Sequence, residues 1–234
     1  MTDLLTPLAR PRDRVSPARR RGMPAASDRP FYVLLGPDGA GKSSVLTEVG
    51  NRLPGWRMLS TDDDFAHSGH PLISRLRRDV VQDVLPGLGT HYSPDFLACL
   101  LQTAVVHLRD QLERQPGELP LLMDSYYYKI LAKCRLAGIP TNPMYAWWRS
   151  FPQPRAVLYL DVSPASAWRR SGNGARLNPL EYFGERPEWP GFESYQKSLR
   201  ELMLEEVREL PVTVIGEQSC VNRTADAVTE VLAA

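Results

Sequence analysis

No apolar run in this 234-residue chain is long enough to cross a bilayer as a helix, and the continuous apolar segment of a secretory signal is missing. Neither sign of charge predominates. With 28 Lys and Arg against 27 Asp and Glu, the net charge of +1 gives no global electrostatic case for a nucleic acid or an anionic membrane as partner. Cysteine is scarce: Cys99, Cys134 and Cys220 are odd in number and widely spaced, which supplies neither a disulfide framework nor a zinc spacing. A reducing cytoplasm is the simplest reading. His67, His70, His91 and His107 fall at no metal-ligand spacing either, and no internal repeat is present. What remains is the composition of an ordinary globular protein, at a length that one domain can bury around one core.

Residues 1–29 differ from the rest. Arg10, Arg12, Arg14, Arg19, Arg20, Arg21 and Arg29 stand there among prolines, almost without aromatic side chains, the composition of a disordered basic tail. From residue 30 onward, short apolar runs alternate with helical patterns, which predicts an α/β domain over 30–234 with a parallel sheet. Strands are expected near 31–36, 56–60, 119–124, 156–161 and 211–215. Helices are expected near 42–52, 71–85, 93–115, 126–137, 164–171, 191–209 and 222–233. The clearest runs from Pro94, where Leu97, Leu100, Leu101, Ala104, Val105, Leu108 and Leu112 recur at helical spacing. In such sheets ligands gather at the carboxyl ends of the strands, so functional residues should follow the apolar runs directly.

Residues 36–43 read Gly-Pro-Asp-Gly-Ala-Gly-Lys-Ser, a complete G-x-x-x-x-G-K-[ST] phosphate loop between the apolar run Phe31–Leu35 and a helix-compatible stretch. A chain wrapping round a polyphosphate must present successive backbone N–H groups, and glycines permit the close approach and dihedrals this needs. Gly36, Asp38, Gly39, Ala40, Gly41, Lys42, Ser43 and Ser44 form the expected nucleotide-binding set. Lys42 reaches the terminal phosphates, Ser43 offers its hydroxyl to Mg²⁺, and the following helix adds the partial charge of its N-terminus. Binding of ATP or GTP is the leading expectation.

On these motifs the chain resembles the thymidylate kinases and the related deoxynucleoside kinases. Asp38-Gly39-Ala40-Gly41-Lys42-Ser43 carries the close part of the resemblance. Leu121-Leu122-Met123-Asp124, Tyr159-Leu160-Asp161-Val162 before Pro164, and Phe192-Glu193-Ser194-Tyr195 agree more loosely. The resemblance implies a P-loop NTPase fold with a five-stranded parallel sheet flanked by helices, and ATP with Mg²⁺ as the phosphate donor. It also implies a mobile lid over about 169–186, an adenine-facing loop near Gly216 to Cys220, and a homodimer as an option for the helix from residue 94.

The departures bear on the acceptor. Thymidylate kinases usually carry Asp-Arg at the end of the third strand, the arginine gripping the acceptor monophosphate, whereas this chain has Asp124-Ser125. After the second strand, where the family tends to an arginine, it has Ser60-Thr61-Asp62-Asp63-Asp64. Clustered carboxylates repel a dianionic acceptor, but one of them suits general-base attack by a neutral hydroxyl. Asp62 is the first candidate for that base and Asp63 the second; Asp64 suits a helix start, and a solvated acidic turn is the plainer alternative for all three. Asp124 holds the Walker B position and is expected to place Mg²⁺ with Ser43. Tyr126, Tyr127 and Lys129 are candidates to line the acceptor pocket, while Tyr145, Trp147 and Trp148 read as packing residues. Arg169, Arg170 and Arg176 are the lid cations expected to answer charge on the transferring group.

The sequence therefore reads as a small-molecule kinase whose acceptor is a nucleoside, a nucleotide or another alcohol, with the hydroxyl acceptors favoured. The alternative within enzymes is a nucleoside monophosphate kinase gripping its acceptor through Lys129, Arg135 or Arg149. The alternative outside enzymes is an ATP-binding regulatory or interaction module.

Overall fold

The structure is a computed structural model that describes residues 30–61, 71–114 and 119–233. Five strands form one parallel sheet: β1 (Phe31–Leu35), β2 (Arg57–Leu59), β3 (Leu121–Asp124), β4 (Ala156–Asp161) and β5 (Val212–Gly216), in the order β2-β3-β1-β4-β5. Each expected strand is present, within two residues of its expected bounds. The three central strands read as unbroken apolar runs because helices cover both faces of the sheet. Alternation shows in where their side chains go. Phe31, Val33, Leu35, Leu121, Met123, Val157 and Tyr159 enter one core layer, and Leu34, Leu122, Leu158 and Leu160 enter the other.

The helices are α1 (Lys42–Arg52), α2 (Pro71–Asp79), α3 (Pro94–Arg114), α4 (Tyr128–Leu136), α5 (Pro143–Arg149), α6 (Pro164–Arg170), α7 (Trp189–Glu206) and α8 (Val221–Ala233). Helix α1 packs with α8 on one face, and α4 packs with α7 on the other. Two differences from the sequence expectation stand out. The helix expected over 71–85 is α-helical only to Asp79, then passes through a π-turn, Val80–Val84, and a 3₁₀ turn, Leu85–Gly87. β-branched Val80 and Val81 crowd the helical backbone there, and Pro86 removes a donor. Helix α5 was not expected at all. Asn142 caps it by accepting from the Met144 N–H, with Pro143 at its first position.

Helix α3 turns Leu97, Ala98, Val105, Leu108 and Leu112 into the core. Trp148 and Tyr145 are buried as expected of packing residues, while Trp147 is exposed, edge-on to Phe151 and beneath the Arg109 guanidinium. The loop between α6 and α7 is fastened to the first turn of α7, where the Phe183 N–H donates to the Gly191 carbonyl. A Cβ on Gly191 would lie 2.1 Å from the Phe183 carbonyl oxygen, so only glycine fits. Gly191→Ala should detach this loop at a cost of roughly 1–3 kcal/mol. Urea denaturation should show that loss, and limited proteolysis should show faster cleavage at Arg176 or Arg186.

Candidate active site

The strand order leaves β1 between β3 and β4, and its carboxyl end feeds the loop Gly36–Gly41 into α1. Gly39 has φ +73°, and a Cβ there would sit 3.1 to 3.2 Å from backbone and side-chain atoms of Ala167. The loop is thus wedged under α6 where no larger residue fits. Helix α1 begins at Gly41 in the left-handed region with no side chain capping it, which leaves its positive end turned to the loop.

Lys42 is 8% exposed, and its Nζ donates to the carbonyls of Gly36 (3.2 Å) and Pro37 (3.1 Å). Burial, helped by the nearby Lys129 ammonium, pushes its pKa down to about 8, against the pull of Asp124 and Asp38. Asp124 ends β3 beside β1, in register with Leu34, and is buried. Its two oxygens accept from the hydroxyls of Ser60 (3.1 Å) and Ser125 (2.7 Å). Ser60, the residue just ahead of the expected base segment, therefore has a part in the site that the sequence reading did not assign. Asp62 and Asp63 lie outside the described residues.

A four-membered charge cluster joins the phosphate loop to two other segments. The Asp38 carboxylate meets Lys129 at 2.5 Å and Lys133 at 2.9 Å, and Lys133 lies 3.7 Å from Glu181 in the loop after α6. Burial alone would raise the Asp38 carboxyl, but Lys129, Lys133 and Lys42 together hold it below the ordinary carboxylate range. Burial and the Asp38 charge push Glu181 up, with both lysines opposing. Lys133 and Glu181 were not singled out from the sequence; their one signal was the spacing of Lys133 four residues after Lys129 on a helix.

These groups line one cleft of about 510 Å³. Asp38, Gly39, Gly41, Lys42, Ser43, Ser44 and Asp124 border it at the phosphate-loop end, with Lys129, Arg170 and Arg176 nearby. Arg170 donates to the carbonyls of Gly39 (3.2 Å) and Ala40 (3.3 Å) and lies 3.6 Å from Glu217, which accepts from the N–H and hydroxyl of Ser163. Arg176 donates to the Arg170 carbonyl. Arg169, expected with them, donates to the Ser166 hydroxyl at 2.9 Å and does not border the cleft.

Of the two tyrosines named as candidates to line the acceptor pocket, Tyr126 borders the cleft and Tyr127 does not. Ser125 and Tyr126 have φ of +56° and +46°, a left-handed pair that turns the chain sharply after β3. All three rings of Tyr126, Tyr127 and Tyr128 end in the core, at 1%, 2% and 0% exposure. Tyr127 and Tyr128 donate to Gln153, and Tyr127 does not border the cleft; Tyr126 contributes only to its wall. Burial pushes all three phenols above their ordinary value. Arg135 and Arg149, cations for an acceptor phosphate in the alternative reading, are engaged by Glu205 and Glu206 and do not border the cleft.

No protein-family model and no curated protein matches the sequence. Solved structures do match in shape. Deoxyadenosine kinase from M. mycoides with bound dATP aligns with a TM-score of 0.56 at 16% identity, covering 88% of this chain and 100% of that one. Thymidylate kinase from Candida albicans aligns with a TM-score of 0.59 at 14% identity, covering 88% and 91%. The M. mycoides enzyme with the products dCMP and dCDP aligns with a TM-score of 0.57 at 15% identity, covering 87% and 98%. The chain has the P-loop NTPase fold, a five-stranded parallel sheet flanked by helices. At these identities the likeness concerns the path of the backbone alone. Among the described residues, no helix is long and apolar enough to cross a membrane.

Proposed function

We propose that the protein is a Mg²⁺- and ATP-dependent phosphotransferase that moves the γ-phosphoryl group to a hydroxyl of a small molecule of about nucleoside size. One observation carries the reading. The phosphate loop, Lys42 and Asp124 share a cleft whose strand-end position beside Asp124 is occupied by Ser125, with Arg135 and Arg149 turned away. A phosphate donor has its binding machinery there, while the strand-end position after Asp124 holds a serine where an arginine would grip an acceptor phosphate.

Each residue has a definable task. Lys42 leaves the Gly36 and Pro37 carbonyls and takes the donor's terminal phosphate oxygens, aided by the N–H groups of the loop. Arg170 leaves its own carbonyl partners, and with Arg176 it faces the transferring group as charge spreads over the oxygens. Asp62, or Asp63, accepts the acceptor's hydroxyl proton. Ser43 and Asp124 would hold magnesium. Their donor set fits: one hydroxyl and one carboxylate at the phosphate-loop end suit an ion that takes few protein ligands and keeps its waters. When bound there, the ion would supply positive charge to offset the negative charge of the donor phosphates. The complete phosphate loop supports ATP as the donor, and a structural neighbour with bound dATP is consistent with it.

An ADP-release assay with Mg²⁺-ATP tests the reading against nucleosides, other alcohols and nucleoside monophosphates. Alcohols or nucleosides should stimulate release well above acceptor-free hydrolysis, and Asp62→Asn or Asp63→Asn should remove the stimulation. Stimulation by monophosphates alone would contradict it.

A further inference from the structure

The stretch from Arg170 to Glu181 carries both arginines that border the cleft, and it is tied to the phosphate loop from each of its ends. At one end Arg170 donates to the carbonyls of Gly39 and Ala40. At the other, Lys133 stands between two carboxylates, its Nζ 2.9 Å from Asp38 Oδ2 and 3.7 Å from Glu181 Oε1. Asp38, Gly39 and Ala40 are consecutive, so both ties converge on the same turn of chain. Arg176 lies between them and donates to the Arg170 carbonyl.

The tie through Lys133 has firm supports. Helix α4, which carries it, packs on α7 and buries Leu131, Ala132 and Cys134 on either side of it. Glu181 is fixed within its own loop: the Asn178 side-chain amide donates to its carboxylate at 2.6 Å, and Gln196 of α7 donates to its carbonyl at 3.4 Å. The side chains of Lys133, Asp38 and Glu181 are at most 15% exposed, so solvent and salt screen the pairs weakly. Lys129 also pairs with Asp38, at 2.5 Å. Loss of Lys133 would therefore leave Asp38 with a cation but set Glu181 against the Asp38 charge.

The two ties differ in what phosphoryl transfer asks of them. Arg170 reaches the transferring group only by leaving the Gly39 and Ala40 carbonyls, whereas Lys133 keeps both of its partners. Resting on the phosphotransferase reading above, we propose that Lys133 is a positioning residue: by pairing with Asp38 and Glu181 at once, it holds the loop after α6 against the phosphate loop and so sets Arg170 and Arg176 opposite the transferring group. Its contribution to the rate passes through the two arginines.

The test uses the full chain with Lys133→Met, which keeps an unbranched stem and removes the charge, and Lys133→Arg, which keeps the charge. Three quantities are measured: mant-ATP affinity, tryptic cleavage after Arg176 and Arg155 with Mg²⁺ and AMP-PNP present, and ADP release from Mg²⁺-ATP without acceptor and with thymidine, deoxyadenosine or dTMP. Lys133→Met should bind mant-ATP within about threefold of the parent while kcat falls about tenfold or more, the pattern of misplaced groups that act in the transition state. Cleavage after Arg176 should accelerate about fivefold or more, with cleavage after Arg155, exposed just ahead of β4, unchanged. Lys133→Arg should recover most of both losses. Unchanged cleavage after Arg176 would overturn the proposal, as would faster cleavage at both sites, which marks a general loss of fold. A raised acceptor KM at unchanged kcat would overturn it in favour of direct contact between Lys133 and the acceptor. A parent that binds mant-ATP yet releases no ADP under any of these conditions would overturn the phosphotransferase reading and the positioning role with it, whereas normal turnover by Lys133→Met would overturn the positioning role alone.

Discussion

Lys42→Ala should lower phosphoryl transfer on the order of 10²–10³-fold while leaving the protein folded. The argument joins burial to charge. The ammonium is almost wholly enclosed, and it donates to two backbone carbonyls of its own loop. Its desolvation is poorly compensated, as the pKa depressed to about 8 indicates. Removing it therefore relieves the folded state, and the melting temperature of the variant should equal or exceed that of the parent. The donor loses its principal cation, so the rate should fall in a protein that is no less stable. Steady-state ADP release together with thermal denaturation separates the two. Turnover within a few-fold of the parent would remove Lys42 from the chemistry.

Asp38→Ala should have the largest effect on stability, roughly 3–5 kcal/mol, because it strips the shared anion from two partly buried ammonium groups. Lys133 retains Glu181 at 3.7 Å, which is a weaker partner. The effect has a definite pH dependence. Asp38 is held below its ordinary value in the folded protein, so its contribution is fully present above the unfolded carboxyl value near 4 and is lost as pH falls below it. Urea unfolding of parent and variant should differ by a constant amount from about pH 5 upward, and the gap should close toward acid. A gap independent of pH down to strong acid would mean that Asp38 acts through packing alone.

The parts of the molecule legible in the sequence are those encoded by contiguous residues. Phe31–Leu35 and the phosphate loop after it declare a strand, a turn and a helix within a short stretch, since one face-independent apolar run and three glycines suffice. The charge cluster was hidden for the opposite reason. Asp38, Lys133 and Glu181 come from three segments, and only the packing of α4 against the loop after α6 brings them together. Tyr126 and Tyr127 were expected on a helix near 126–137 as candidates to line the acceptor pocket, with Tyr128 directly after them. The left-handed pair at Ser125 and Tyr126 places them before and at the start of α4 instead, and the core takes all three. Helix α5 was obscured by the prolines on either side, although Asn142 followed by Pro143 is a readable helix start. Arg169 and Arg170 are adjacent in sequence, yet a step of about 100° round α6 sends one to Ser166 and the other to the phosphate loop.

The most direct test of a hydroxyl kinase is the identity of its product. The full-length protein should be incubated with Mg²⁺ and γ-labelled ATP in the presence of a mixture of alcohols, nucleosides and nucleoside monophosphates, and the labelled species identified by mass spectrometry. A phosphate monoester formed on a hydroxyl, absent with Lys42→Ala, is the predicted result. A label found only in nucleoside diphosphates, or only in inorganic phosphate, would contradict it.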